Sequence, residues 1–419
     1  MVAMSFTPEQ ARVQFSALAQ THHDRPVYFF DGPGGSQVPR SVLQAMTDYL
    51  GHFNSNLGGH FFSSQRTTDL MLQARESAQA LLNAESSGNI VFGANMTSLT
   101  FQLSRSISRE WQTGDEVVVT ALDHYSNVSS WEQAAQDKGA LVHQSRINPE
   151  NGTLDIDHLL SLINAQTTLV ALTYASNTTG SIVDVKRVIE AAHAVGAQVF
   201  IDAVHYAPHH LIDVQDLECD FLVCSAYKFF GPHIGIAYIH SQWLHSLQPY
   251  KVEPATNIGP GRFETGTQSF ESLAGLVAAI DYLAQWGESG APLRQRLAQS
   301  FAQFNQHEQQ LSGYFLRKLQ QLPQAQLYGR WEADSDKRTP TFAIRIADHS
   351  PEWIAKTLGE QNICVWNGHF YALGLIRQLG LEAKGGVVRI GLMHYNTVEE
   401  IDQLFNVLAP LVKPVSLVE

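Results

Sequence analysis

The stretch Asp184-Val185-Lys186-Arg187-Val188-Ile189-Glu190-Ala191-Ala192-His193-Ala194-Val195-Gly196-Ala197-Gln198-Val199-Phe200-Ile201-Asp202 contains a helix and the strand that follows it. Val185, Val188, Ile189, Ala192 and Val195 recur at helical spacing, so Asp184–Val195 reads as an amphipathic helix. Asp184 is its start signal and Gly196 its stop. Gln198–Ile201 is a short apolar run of the kind a buried strand uses. Working outward, similar runs stand at Asn89–Phe92, Glu116–Thr120, Ala140–His143, Thr168–Tyr174 and Phe221–Cys224. Strands rich in Val, Ile and Leu, alternating with helices, predict an α/β fold with a mostly parallel sheet covered on both faces. His233–His240 reads as a further strand, with antiparallel pairing open to it.

Beyond Gly266 the texture changes. Ser269–Trp286 and Pro292–Leu322 read as long helices. Then come a strand (Phe342–Ile346), a helix (Pro351–Gln361), strands at Ile363–Trp366 and Val387–Gly391, and a last helix (Val398–Leu411). Asp334–Lys337 reads as an exposed loop. The pattern predicts a smaller α+β domain, with the division near residue 290. The expected parts are an N-terminal segment, 1–27, packing on the small domain, a large domain, 28–290, and a small C-terminal domain, 291–419.

The 419 residues are 44% hydrophobic and 16% charged, enough to bury a large core in two or three domains. Lys and Arg number 27 against 40 Asp and Glu, a formal net charge of −13 that argues against a broad nucleic-acid-binding surface. No apolar run approaches the roughly 18 residues of a membrane span. The longest candidate, Ala274–Ala284, is broken by Asp281. Met1–Gln20 lacks the pattern of a secretory signal. Cys219, Cys224 and Cys364 form no disulfide framework. These features together predict a cytoplasmic protein with neither membrane nor nucleic acid as partner.

In open α/β sheets, ligands bind beyond the carboxyl ends of the strands. Five such ends are polar: Gly93–Ser98, Asp123–Asn127, Ser176–Gly180, Asp202–His205 and Ser225–Pro232. Asp202 ends a buried strand, where a carboxylate is costly unless paired. Read alone, it is as readily a helix cap or half of a salt bridge as a functional carboxylate. Lys228 lies among aromatics in Ser225-Ala226-Tyr227-Lys228-Phe229-Phe230-Gly231-Pro232. Desolvation there would expose a nucleophilic amine, as a Schiff-base lysine requires. Read alone, its stem packing on Phe229 with the head in water is the more ordinary case. The two together, 26 residues apart, fit pyridoxal 5'-phosphate (PLP), which needs a lysine for its aldehyde and a carboxylate for its ring nitrogen. Charges about 4 Å apart at an effective dielectric near 20 interact by about 4 kcal/mol, roughly three pKa units. Such a pairing keeps the ring nitrogen protonated. Gly93-Ala94-Asn95-Met96-Thr97-Ser98 follows a strand and opens a helix, a place suited to the phosphate, and Ser225 adds a hydroxyl.

From about Tyr28 to Asn396 the chain resembles the cysteine desulfurase and selenocysteine lyase group within the class V aminotransferases. The resemblance rests on Asn54-Ser55-Asn56; Asp123-His124-Tyr125-Ser126-Asn127 with Trp131; Ser176-Asn177-Thr178-Thr179-Gly180; Asp202-Ala203-Val204-His205; Ser225 to Pro232; Arg262-Phe263-Glu264-Thr265-Gly266-Thr267; and Arg389 ahead of Tyr395-Asn396-Thr397. It implies a PLP-dependent transferase fold of type I and a homodimer with shared sites. It implies that Lys228 bonds the cofactor aldehyde and later moves the Cα proton, that Asp202 pairs with the ring nitrogen, and that His124 stacks on the ring. Asn177 would lie near the ring oxygen and the substrate carboxylate, and Arg389 would clamp that carboxylate. Asn95, Met96, Thr97 and Ser225 would hold the phosphate, which Thr267 would reach from the partner subunit. The turn Asp31-Gly32-Pro33-Gly34-Gly35 would lie near the substrate entrance.

The departures bear on function. His205 stands where the family often has glutamine, and it can still donate to the ring oxygen. Tyr227 stands where histidine usually contacts the phosphate. The arginine-containing loop after Asn-x-Asn reads Leu57-Gly58-Gly59-His60. The desulfurase pattern Arg-x-Gly-His-His-Cys-Ala reads Trp366-Asn367-Gly368-His369-Phe370-Tyr371-Ala372. Tyr371 replaces the persulfide cysteine, and a phenol cannot accept sulfur. Cys364 lies in an expected strand, where packing is the ordinary role. His205, His209 and His210 cluster, but Pro208 interrupts them and no further ligand set stands out, so no metal is expected.

The reading is an enzyme acting on an amino acid by C–S or C–Se lyase chemistry without a persulfide cysteine. Tyr371 would face the substrate. The alternatives are an aminotransferase or an epimerase, with Tyr371 as an acid, and a non-catalytic PLP-binding partner protein.

Overall fold

The computed structural model describes residues 5–322 and 324–412. The outermost residues of the two expected end segments, 1–4 and 413–419, lie outside that range. Seven strands form the main sheet: β1 (Ile90–Gly93), β2 (Glu116–Thr120), β3 (Leu141–Ser145), β4 (Thr167–Thr173), β5 (Gln198–Asp202), β6 (Phe221–Ser225) and β7 (Gly235–Ile239). Their order is β1-β7-β6-β5-β4-β2-β3, and β7 alone runs against its neighbours.

Alternate residues of each strand face opposite sides. Val199 and Ile201 of β5 enter one apolar cluster and Phe200 the other. Both faces are covered, which is why these strands read as unbroken apolar runs. Helices α1 (Met96–Ile107) and α2 (Ser126–Lys138) cover the Phe200 face through Leu99, Leu103, Val128 and Trp131. The helix read from the opening stretch, α3 (Val185–Ala194), covers the other through Val188 and Ile189. Asp184 caps it, accepting the Arg187 N–H at 3.4 Å. Val195, expected on the buried face, lies past the helix end and is 37% exposed. Helix α4 (Phe270–Ala284) joins the same side and is buried along most of its length.

A second, antiparallel sheet holds β8 (Ala325–Tyr328), β9 (Thr341–Ile346), β10 (Trp366–Gly368) and β11 (Val387–Gly391), in the order β8-β9-β11-β10. The long helix α5 (Leu293–Gln320) and the last helix α6 (Val398–Leu411) pack on it through Leu311, Phe315, Ile401 and Leu404. The expected single strand Ile363–Trp366 is two. Ile363–Cys364 pairs in parallel with Tyr28–Phe29, and Trp366 begins β10 opposite Arg389. A break at Val365 lets one apolar run serve two partners. The N-terminal segment also divides. Ala11 and Phe15 pack in the larger core, whereas His22 and Arg25 offer carbonyls to the Asn362 amide.

Candidate active site

Parallel pairing brings the ends of β5 and β6 together, with Asp202 opposite Val223. Asp202 thereby ends beside the single turn Ala226–Lys228 that follows β6. A cavity of about 260 Å³ opens at this edge. Lys228, Asp202, His124, Asn177, His205 and Tyr227 line it, as do Asn95, Met96, Thr97 and Ser225. A larger hollow of about 530 Å³ around Glu85, His193, Asp220 and Trp243 lies at the amino ends of β5 and β6. Asp220 there is engaged by His193, Trp243 and the Val199 N–H, and no lysine is present.

Asp202 accepts the Val204 N–H on Oδ1 at 2.9 Å, and its Oδ2 bonds to no protein group among the described residues. Burial pushes its carboxyl up to about 7, against the Val204 N–H and the charge of Lys228. Lys228 Nζ donates to the Pro33 carbonyl. Burial brings the lysine down to about 7; Arg389 acts in the same sense and Asp202 against it. Burial therefore works against the charged form of both groups.

The motif Asp123 to Asn127 is a scaffold for His124. Thr120 Oγ1 donates to Asp123, Asn127 Nδ2 donates to Asp123 at 2.8 Å, and Trp131 Nε1 donates to Asn127 at 2.9 Å. Burial, outweighing those bonds, lifts Asp123 to about 8. The Ser126 N–H donates to His124 Nδ1 at 3.1 Å, so that nitrogen accepts and Nε2 carries the proton. Burial, then Lys228 and Arg389, depress His124 to about 4, which leaves it neutral at pH 7.

Asn177 is presented by a tight turn in which Ser176 Oγ accepts the N–H groups of Thr178 and Thr179 at 3.3 and 3.1 Å. Gly180 closes it at φ +73°, where a Cβ would stand 2.6 Å from the Thr341 carbonyl. At the other end, Asn95 caps α1 by accepting the Ser98 N–H at 2.9 Å. The Met96 N–H donates to Ser225 Oγ at 2.9 Å, which leaves the Ser225 hydroxyl proton for another acceptor. A helix start with such hydroxyls suits a phosphate.

Arg389, Tyr371 and Thr267 do not line this cavity. Arg389 is buried in β11 and donates to the Asn177 carbonyl at 2.9 Å, and its Nε is unpartnered. Burial lowers it to about 9, with Asp31 opposing. Phe370 lies over its guanidinium at 4.2 Å, and the Phe370 carbonyl accepts from Asn177 Nδ2 at 2.9 Å. The Tyr371 ring stacks on His124 with centroids 5.1 Å apart, and its carbonyl accepts the Tyr125 N–H at 2.8 Å. Tyr371 is 66% exposed. Both aromatics have left-handed backbones, φ +51° and +60°, each costing about 1 kcal/mol or more. Thr267 is exposed on a loop whose root is pinned by Glu264, paired with Arg75 at 2.6 Å.

Several neighbours had no individual signal. Ser126 lay inside a quoted motif. Asp31 lay in the glycine turn, yet burial raises its carboxyl and Arg389 is the charge opposing it. His233 stacks on Tyr227 at 4.8 Å and also lines the cavity. Thr339, 3.1 Å from His205, comes from the loop before β9.

The family model for class V aminotransferases matches residues 28–404. The chain belongs to the class V aminotransferases. A cysteine desulfurase of Serratia proteamaculans is 30% identical over 417 residues, 96% of this chain and 97% of its own length. Aminotransferase-like protein FGM3 of Gibberella zeae is 32% identical over 414 residues, 96% and 98% of the two chains. The cysteine desulfurase CsdA of Escherichia coli superposes with a TM-score of 0.83 at 27% identity, covering 97% and 98%. This class V aminotransferase is a PLP-dependent enzyme. The cavity fits that cofactor on its own evidence: a carboxylate with a free oxygen, a readily deprotonated lysine and a helix start with a spare hydroxyl.

Proposed function

We propose that this enzyme cleaves the Cβ–S or Cβ–Se bond of a cysteine-like amino acid by β-elimination, releasing the chalcogen directly into solution. The observation behind this reading is Tyr371. It occupies the loop position where the desulfurase pattern carries its acceptor cysteine, with its ring against His124. None of the three cysteines lines the cavity. Cys219 and Cys224 are buried in the larger core, and burial raises both thiols. Cys364 is half-buried and raised to about 11 by burial and Asp31, a poor persulfide acceptor.

When bound, PLP supplies an aldehyde for the substrate amine and a ring that takes up electron density from Cα. The chain's own residues do the rest. Asp202 holds a negative charge at the ring-nitrogen end. Lys228 Nζ, poised to lose its proton, would take the proton from Cα and pass it to the departing chalcogen. Arg389, braced by Asn177 and Phe370, binds the substrate carboxylate. His124 would pack on the ring, with its proton on Nε2. Thr267 of a second copy completes the phosphate end, which makes the working form a homodimer. A cytoplasmic setting agrees with three unpaired cysteines; no helix among the described residues is long and apolar enough to cross a membrane.

Incubation with cysteine, cystine or selenocysteine tests this reading. Elimination converts cysteine and water to pyruvate, ammonia and hydrogen sulfide in equal amounts. Alanine together with a persulfide on Cys364 would overturn it. An aminotransferase or epimerase, favoured by the phenol of Tyr371 beside His124, would release no sulfide: the first would give a 2-oxo acid that keeps its sulfur, the second would label Cα from deuterated water.

A further inference from the structure

His205 lines the cavity. A neutral imidazole has one N–H and must place it. His205 is neutral: burial, then His209, Arg389 and Lys228, hold it well below its ordinary value. His209, whose ring lies 5.6 Å away, is itself engaged by Glu308 at 2.9 Å. Only one nitrogen of His205 meets protein. Its Nε2 is 3.1 Å from Thr339 Oγ1, and its Nδ1 bonds to no protein group among the described residues.

The Thr339 hydroxyl has two possible acceptors, His205 Nε2 at 3.1 Å and the Gly180 carbonyl at 3.3 Å. The carbonyl already accepts the Thr339 N–H at 2.8 Å. That leaves the carbonyl one lone pair, and the imidazole nitrogen is the nearer acceptor. The segment is held firmly. Arg338 is buried, donates to the carbonyls of Thr339 and Thr341 at 3.3 and 2.6 Å, and lies 4.3 Å from the Phe342 ring.

We infer that Thr339 is a positioning residue that donates to His205 Nε2, placing the imidazole proton on Nδ1 as a donor to the ring oxygen of PLP. The smaller domain thereby sets the hydrogen-bonding polarity at a cofactor site built on the larger sheet.

Nitrogen-15 NMR of histidine-labelled apoprotein, with the His205 signals assigned through H205Q, reads the tautomer without any reaction. The expected result is a protonated Nδ1 and an unprotonated Nε2. In Thr339→Val the preference is lost and the dissociation constant for PLP rises about tenfold, as loss of a hydrogen bond to a charged oxygen implies. Thr339→Ser restores both. A protonated Nε2 in the wild type would overturn the inference whatever the variants do. So would a Thr339→Val protein that binds PLP as tightly as wild type.

Discussion

Asp202 and Lys228 were each ambiguous in the sequence and became informative only as a pair. The structure gives the reason: two neighbouring parallel strands deliver them to one cavity. Replacing Asp202 by Asn removes an interaction of about 4 kcal/mol, so kcat is expected to fall about a thousandfold while PLP stays bound. A change of less than tenfold in steady-state kinetics would contradict the pairing. Arg389→Lys keeps the charge but loses the fork and the Phe370 contact. KM for the amino acid should rise at least tenfold with kcat within a few-fold. His124 allows a linkage test. Its folded pKa, about 4, lies below the ordinary histidine value of 6.5. Between those values the unfolded chain takes up a proton that the folded chain refuses, so this contribution is intact above pH 6.5 and is lost as pH falls. Asp123 and Asp202, raised to about 8 and 7, act in the opposite sense over the same range. The readout is therefore the difference between wild type and His124→Asn. Urea midpoints should show wild type losing stability relative to the variant from pH 7 to pH 5. A constant difference would refute the buried neutral imidazole.

Single elements were legible where their signals are local. Helix α3 begins one residue past its Asp184 cap, and α6 spans Val398–Leu411 as read, with Thr397 and Glu400 forming a reciprocal cap. The Ile363–Trp366 run was not legible because its two partners, Tyr28–Phe29 and β11, are remote in sequence. Phe370 was hidden for a similar reason: its ring meets Arg389 only through the pairing of β10 and β11. One tight approach between elements has a measurable consequence. A Cβ on Gly235 of β7 would stand 2.5 Å from the Asn95 backbone. Gly235→Ala must shift the start of α1, where the phosphate is expected. PLP should bind about tenfold more weakly in equilibrium titration. Unchanged affinity would place the phosphate elsewhere.

Across the whole molecule, α5 explains why a domain division near residue 290 is not sharp. Leu297, Phe301 and Phe304 pack in the larger core, and Leu311, Phe315 and Leu319 in the smaller. One rigid helix crosses both, and periodicity reports which residues are buried but not against what. Thr339 is invisible to motif reading for the same reason, since it acts across that division. The expected consequence is cooperative unfolding. Phe304→Ala, costing about 3–5 kcal/mol, should lower a single calorimetric transition. Two transitions, with only the first displaced, would show that the cores melt independently.

The central claim is that Lys228 carries PLP in the cavity between the ends of β5 and β6. It is tested most directly by the visible spectrum of the purified protein beside that of Lys228→Ala, both with added PLP. The expected result is a protein-bound band in the wild type that responds to an amino acid and is absent from the variant. The same band in Lys228→Ala, or none in the wild type, would contradict the account.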